Sequence, residues 1–154
     1  MAREITFDPA VSGGVVAGYD GSDASRRAVA VAADEASLRG VPLHVVRAWM
    51  LSTALDEAGA PPGTVPSLAE VEEAVRTSVE QVVQQVSAER PGVEMRAHVH
   101  HGKAVDALVA ASRDALLVVV ARRGQGGFVD LLLGSTADQV VRHAHSSVLV
   151  VRPA

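Results

Sequence analysis

Apolar positions along the chain alternate between two textures. Short continuous runs are separated by longer stretches in which apolar residues recur every three or four positions. The first run lies in GGVVAGYDGS, Gly13 to Ser22, and closes on Asp and Gly as a buried strand ending in a turn does. From Ser22 the period changes: Ala24, Ala28, Val31 and Ala32 stand at helical spacing, behind a Ser or Asp start and ahead of Gly40 as a stop. Val41 to Trp49 predicts a second strand, and the Pro- and Gly-rich Asp56 to Ser67 a loop. A longer helix follows, with Leu68, Val71, Val75, Val79, Val82, Val83 and Val86 in one stripe, ended by the turn Glu89 to Val93. Val93 to His101 alternates as a strand, Lys103 to Arg113 reads as a helix, and Ala115 to Ala121 as a continuous buried strand. Ser135 to Ala144 is then helical, and Ser147 to Arg152 is a last strand.

The order βαβαβαβαβ implies right-handed crossovers and a parallel sheet covered on both faces. The expectation is an α/β fold: a three-layer, doubly wound, Rossmann-like five-stranded parallel sheet of order 3-2-1-4-5, in one domain spanning 1–154. Ligands of such sheets settle beyond the carboxyl ends of the strands, where the strand order reverses. That directs attention to GYDGS after the first strand and ARRGQGG after the fourth, one bearing a carboxylate and the other glycines and arginines.

Composition narrows the chemistry. Fourteen Lys and Arg against 18 Asp and Glu give a net charge of −4, so nothing global favours nucleic acid or an anionic membrane, and a basic site must be local. Without cysteine there is no disulfide framework, Cys-ligated zinc or thiol nucleophile, which fits a reducing compartment. The start MAREITFDPA has no signal-like apolar region, and no apolar run reaches the length of a membrane span; a cytoplasmic protein is the expectation.

The stretch VVVARRGQGGFVDLLLGST, Val118 to Thr136, carries the most specific chemistry: an apolar strand, a basic glycine-rich loop, and hydroxyl residues where a helix begins. Exposed N–H groups at a helix start favour an anion, and phosphate is the first to consider. Two common nucleotide fingerprints are absent. No G-x-G-x-x-G follows the first strand, and HGK at His101 to Lys103 lacks the upstream Gly and following Ser or Thr of a P-loop. His98 and His100 share a strand face but have no evident third metal ligand, so a polar strand end is the simpler reading. His143 and His145 sit where a helix end favours positive charge, and Lys103 opens a helix, either approaching phosphates or, more simply, as a solvated lysine. Trp49 either covers the mouth of a pocket or anchors its strand.

VVAGYDGSDAS, LHVVRAW, LLVVVARRGQGGFVDLLLGSTADQVVRHA and VLVVRP, in that order, resemble the universal stress protein family over most of the chain. That family has an adenine nucleotide alpha hydrolase-like fold. Its ATP-binding pattern is Gly, two residues, Gly, nine residues, then Gly-Ser or Gly-Thr. Here the pattern is filled by Ala121, Arg122 and Arg123, Gly124, the nine residues Gln125 to Leu133, and Gly134-Ser135, so the spacing is kept and Ala121 replaces the first Gly. A second departure is the absence of Pro near Ser147. The resemblance implies Asp20 beside the nucleoside, the backbone near Ala48 at the adenine edge, and Val120 and Ala121 along base and ribose. Gly124, Gly134 and Ser135 would hold phosphates, with Arg122 or Arg123 adding charge; Gly18 and Thr136 complete the expected set. Glycines 124 and 134 would supply conformations closed to other residues, and Ser135 would cap its helix or bind phosphate. If the first Gly is needed for positive φ, Ala121 strains the strand end; if for clearance, its methyl crowds the ribose; if for neither, the change is silent. Asp20 fits a second role as a turn or capping carboxylate.

The function that follows is a small homodimeric regulatory protein of the stress response that binds ATP, or ADP or AMP, with Mg²⁺. The dimer would pair the last strands, Ser147 to Arg152, with regulatory protein partners unspecified. Turnover is expected to be slow or absent, because no general base or second carboxylate beyond Asp20 is aimed at a γ-phosphate. The alternative is an interaction module of the same fold with an empty pocket, working through dimerisation and docking. A phosphotransfer or adenylate-forming enzyme is a third reading, resting on fold analogy alone.

Overall fold

The computed structural model describes residues 11–123 and 132–153. Its five strands are β1 (Val15–Gly18), β2 (Leu43–Trp49), β3 (Met95–His101), β4 (Leu117–Ala121) and β5 (Ser147–Val151). All pair in parallel, in the order β3-β2-β1-β4-β5. The helices are α1 (Asp23–Arg39), α2 (Leu51–Ala54), α3 (Leu68–Glu89), α4 (Ala104–Ser112) and α5 (Ser135–His143). This is the doubly wound α/β sheet expected from the alternation of apolar runs and helical stripes.

Central strands covered on both faces have no polar side to show, which is why β1 and β4 read as continuous apolar runs. Val15, Ala17, Leu43, Val45, Leu117 and Val119 pack against α1 and α3. Val16, Val46, Val118 and Val120 turn the other way, onto Ala107, Leu108 and Ala111 of α4 and Ala137 and Val140 of α5. Register aligns Val15 with both Leu43 and Leu117, so neighbouring strands feed the same layer.

Local signals start and stop the helices. Ser22 caps α1 by accepting the Ser25 N–H, and Gly40, at φ 65, ends it in the left-handed conformation that glycine adopts without a Cβ penalty. Ser67 and Glu70 form a reciprocal capping box at the start of α3. Two stripes differ from expectation. The buried face of α1 is Ser25, Ala28, Val29, Ala32, Ala33 and Ala36, so Ala24 and Val31 lie at its margin. In α3 the stripe is Val71, Val75, Val79, Val82 and Val86, while Leu68, in the first turn, is 56% exposed and faces away from it. The segment after β2 folds further than a loop: α2 is followed by a 3-10 turn, Leu55–Ala58.

Candidate nucleotide site

The carboxyl ends of β1 and β4 lie side by side at the point where the chain order of the sheet reverses. A pocket of about 80 Å³ opens there. Gly18, Asp20, Ala48, Val120, Ala121 and Thr136 line it, six residues drawn from the ends of three strands and the start of α5. The remaining wall is Tyr19, Val46, Ala104, Leu108 and Ala137, which the reading of the sequence missed. Leu108 and Ala137 were visible only as members of helical stripes, since nothing in periodicity says which apolar residue faces a pocket rather than the sheet.

Gly18 is where the backbone needs clearance. A Cβ there would lie 3.0 Å from Leu108 Cδ1 and 3.7 Å from Val120 Cγ1, so glycine lets α4 close down on the end of β1. Asp20 then turns toward α1. Its Oδ1 accepts the Ser22 N–H at 2.9 Å, the Ser22 hydroxyl at 2.5 Å and the Ser25 hydroxyl at 2.8 Å. The carboxylate is therefore a turn-forming group that also stands in the pocket wall.

Of the helices that begin at this end of the sheet, α1, α4 and α5 are capped differently. Ser22 closes α1. In neither α4, whose N-cap is Lys103, nor α5, whose N-cap is Gly134, does the cap residue give the helix a side-chain hydrogen bond. Both uncapped starts reach the pocket, α4 through Ala104 and α5 through Thr136. Two helix starts without a capping side chain, and the positive ends of their dipoles, thus meet where an anion would sit. Ser135 is the first residue of α5, not its cap, because Gly134 occupies the capping position with φ −66 and ψ 165. Gly134 therefore does not supply a positive φ; what it supplies is a cap position without a side chain.

At Ala121 one of three alternatives falls away. It is the last residue of β4, and no residue other than glycine has a positive φ among the described residues. Alanine is not strained here, which leaves two alternatives, crowding of the ribose by its methyl group or no effect. Arg122 is committed to the loop. Its N–H donates to Val151 O at 2.9 Å, its carbonyl accepts from Gly134 N–H at 2.7 Å, and its Nε donates to Leu132 O at 2.6 Å. These bonds hold the two ends of the loop together and tie them to β5. Arg123 is half-buried at the mouth of that loop, and Gly124 lies outside the described residues.

Other sequence candidates separate from the pocket. Trp49 is buried against Ala54, Val71 and Val75 and stacks on His101 with centroids 4.2 Å apart, so it anchors β2 and lines no part of the pocket. His98 Nε2 lies 2.8 Å from His44 Nδ1, an imidazole pair in which a ligand role is replaced by a hydrogen bond. Lys103 is exposed, as are His143 and His145. A larger groove of about 930 Å³ runs between residues 58–66 and α3, but Glu70 and Glu73 in its wall have the wrong charge for phosphate.

Residues 14–152 match the sequence pattern of the universal stress protein family. The chain belongs to this family. A universal stress protein of Mycolicibacterium smegmatis is 35% identical over 139 residues, covering 90% of this chain and 45% of that protein. Universal stress protein Rv2623 of Mycobacterium tuberculosis is 37% identical over 146 residues, covering 90% of this chain and 44% of that one. The chain thus spans about half the length of these curated relatives. Among solved structures, a universal stress protein in complex with cAMP superposes with a TM-score of 0.62 at 25% identity, covering 94% of this chain and 100% of that one. One from Archaeoglobus fulgidus gives 0.65 at 26% identity over 90% and 97% of the two chains. A further Archaeoglobus fulgidus structure, in complex with dAMP, gives 0.63 over 91% and 98% of the two chains; at 23% identity that likeness is one of fold. No helix among the described residues is long and apolar enough to cross a membrane.

Proposed function

We propose that this universal stress protein binds an adenine nucleotide at the carboxyl ends of β1 and β4 and works as a small regulatory protein. The observation that carries the reading is the convergence of two helix starts without side-chain caps, α4 and α5, on a narrow pocket walled by Gly18, Asp20, Ala48, Val120 and Ala121. The apolar wall suits a base and ribose, while the helix starts suit phosphate. The cAMP complex of a relative at 25% identity supports an adenine ligand. ATP is the ligand we favour, with Mg²⁺ carried on its phosphates, because the loop from Arg122 to Ser135 keeps the spacing of the family's ATP pattern.

In this reading Asp20 meets the nucleoside, the backbone near Ala48 the adenine edge, and Val120 and Ala121 the ribose. Gly124, Gly134, Ser135 and Thr136 hold the phosphates, with Arg123 as the charge-bearing arm, since Arg122 is bonded to Leu132 O. Among the described residues the pocket wall has one carboxylate, Asp20, and we take its task to be retention of the nucleotide, with hydrolysis slow or absent. The nucleotide acts on association: Arg122 connects the loop to Val151, the last residue of the edge strand β5, through which two copies would pair as a homodimer.

Mass spectrometry of small molecules released on denaturing freshly purified protein tests the reading directly. Adenine nucleotide near one equivalent is the expected result. A protein that comes out empty and gives no calorimetric signal with ATP, AMP or cAMP, with or without Mg²⁺, would leave the fold as an interaction module.

A further inference from the structure

We infer that Ser25 is a positioning residue of the nucleotide pocket, holding the Asp20 carboxylate in the orientation from which it meets the nucleoside; the inference rests on the binding reading above. Ser25 is 3% exposed in the first turn of α1 and is not part of the pocket wall, whereas Asp20 is. Its hydroxyl oxygen accepts the Asp20 backbone N–H at 3.2 Å and donates to Asp20 Oδ1 at 2.8 Å. One atom thereby grips the main chain and the side chain of the same residue, and Asp20 cannot change χ1 without breaking that ring. Ser22 adds its N–H and hydroxyl to the same oxygen, and Gly21, at φ 88, makes the turn tight enough for the three residues to meet.

Helix α1 does not itself ask for serine at this position. Its cap is Ser22, and every other buried residue of the helix is Ala or Val. Serine is a poorer helix former than alanine, and a buried hydroxyl is costly unless it is bonded. This hydroxyl shares its one hydrogen between Asp20 Oδ1 and the Ser22 carbonyl, 2.9 Å away, and accepts from the Ser22 hydroxyl at 3.1 Å, so its work is done on the turn that carries the carboxylate. A carboxylate held in place before the ligand arrives loses no side-chain freedom on binding, and that is the gain in affinity Ser25 supplies.

The test is calorimetric titration of the full chain with AMP and with ATP, using the parent, Ser25→Ala, Asp20→Ala and the double variant, each checked by thermal melting. Ser25→Ala is expected to raise Kd by about ten-fold, the worth of one hydrogen bond that orients a charged group. In the Asp20→Ala background the same change should alter Kd by less than about two-fold, because the group it orients is gone. Ser25→Cys, which keeps the side-chain size but donates weakly, should lose affinity as Ser25→Ala does and serves if that variant folds poorly. An unchanged Kd in Ser25→Ala, or an equal loss in both backgrounds, would overturn the inference while leaving nucleotide binding intact. A parent protein that binds neither nucleotide would overturn the binding reading, and this inference with it.

Discussion

The ring nitrogen Nδ1 of His44 lies 2.8 Å from Nε2 of His98, across the boundary between β2 and β3, with the two residues 3% and 6% exposed. One imidazole must donate and the other accept, an arrangement available to a neutral pair and to a singly charged one. A doubly protonated pair would set two N–H groups against each other in a buried site. Burial, and then the Arg96 guanidinium, hold His44 below the ordinary imidazole value of 6.5, with Glu94 opposing. The buried residues of α4, the helix on this face of the sheet, are Ala107, Leu108, Ala111 and Ser112, none of which bears a charge.

A pH dependence of stability follows. With its folded-state pKa depressed, His44 binds a proton more readily in the unfolded chain, so stability is fully present above about 6.5 and is lost as pH falls through the folded value. Urea midpoints should therefore decline from pH 7 toward pH 5. In His44→Asn combined with His98→Gln, which keeps an amide hydrogen bond in place of the titrating pair, that portion of the decline should disappear. A double variant with the parent's slope would show that other groups set it.

Gly14 and Gly18 sit at opposite ends of β1 and should tolerate alanine differently. A Cβ on Gly14 would come within 2.9 Å of both the His44 ring and the Pro42 carbonyl oxygen, and backbone cannot step aside cheaply. At Gly18 the nearest atom is the far end of Leu108, at 3.0 Å, which can rotate. Gly14→Ala should cost about 1–3 kcal/mol in urea unfolding, and Gly18→Ala less. The ranking reverses for the ligand: Gly18→Ala pushes Leu108 into the pocket and should weaken AMP binding, whereas Gly14→Ala should not.

The start of α3 is held by an exposed exchange of hydrogen bonds: Ser67 N–H to Glu70 Oε2 at 2.7 Å and Glu70 N–H to Ser67 Oγ at 3.2 Å. The Ser67 N–H and hydroxyl hold the Glu70 carboxyl below its ordinary value. Ser67→Ala should cost about 1 kcal/mol in chemical unfolding, and the loss should shrink under acid, where Glu70 is protonated and the box already broken. An equal loss at pH 7 and pH 3 would count against the reciprocal arrangement.

Sheet order was legible because β1 and β4 leave no polar face for a competing register, and each crossover is long enough for a helix. Helix faces were less legible. In the alanine-rich α1 small residues occur on every side, and counting apolar positions passed over Ser25, which is buried because its hydroxyl is bonded rather than because it is apolar. Pairing of His44 with His98 could not be read from HVHH, since it depends on how β3 is placed against β2. The glycine-rich loop drew attention because glycine and a helix start are written directly as residue types, but its glycines 124, 126 and 127 lie outside the described residues. Arg122 was ambiguous for the opposite reason: an arginine beside a phosphate loop looks the same in sequence whether it faces solvent, ligand or, as here, the carbonyl of Leu132.

Ala121 offers the sharpest separation of fold from function. It ends β4, paired with Val151, in a backbone conformation open to any residue, so replacing it by glycine relieves no strain. Ala121→Gly should instead destabilise the protein by roughly 0.5–1 kcal/mol, the ordinary entropic cost of glycine in a strand. The same change removes a methyl group from the pocket wall, where the base and ribose are proposed to lie. Nucleotide affinity should therefore rise as stability falls, an inverse relation that simple loss of structure would not produce. Measured together, by urea unfolding and by titration with ATP, a fall in both would place Ala121 among residues that support the pocket by packing rather than by limiting its width.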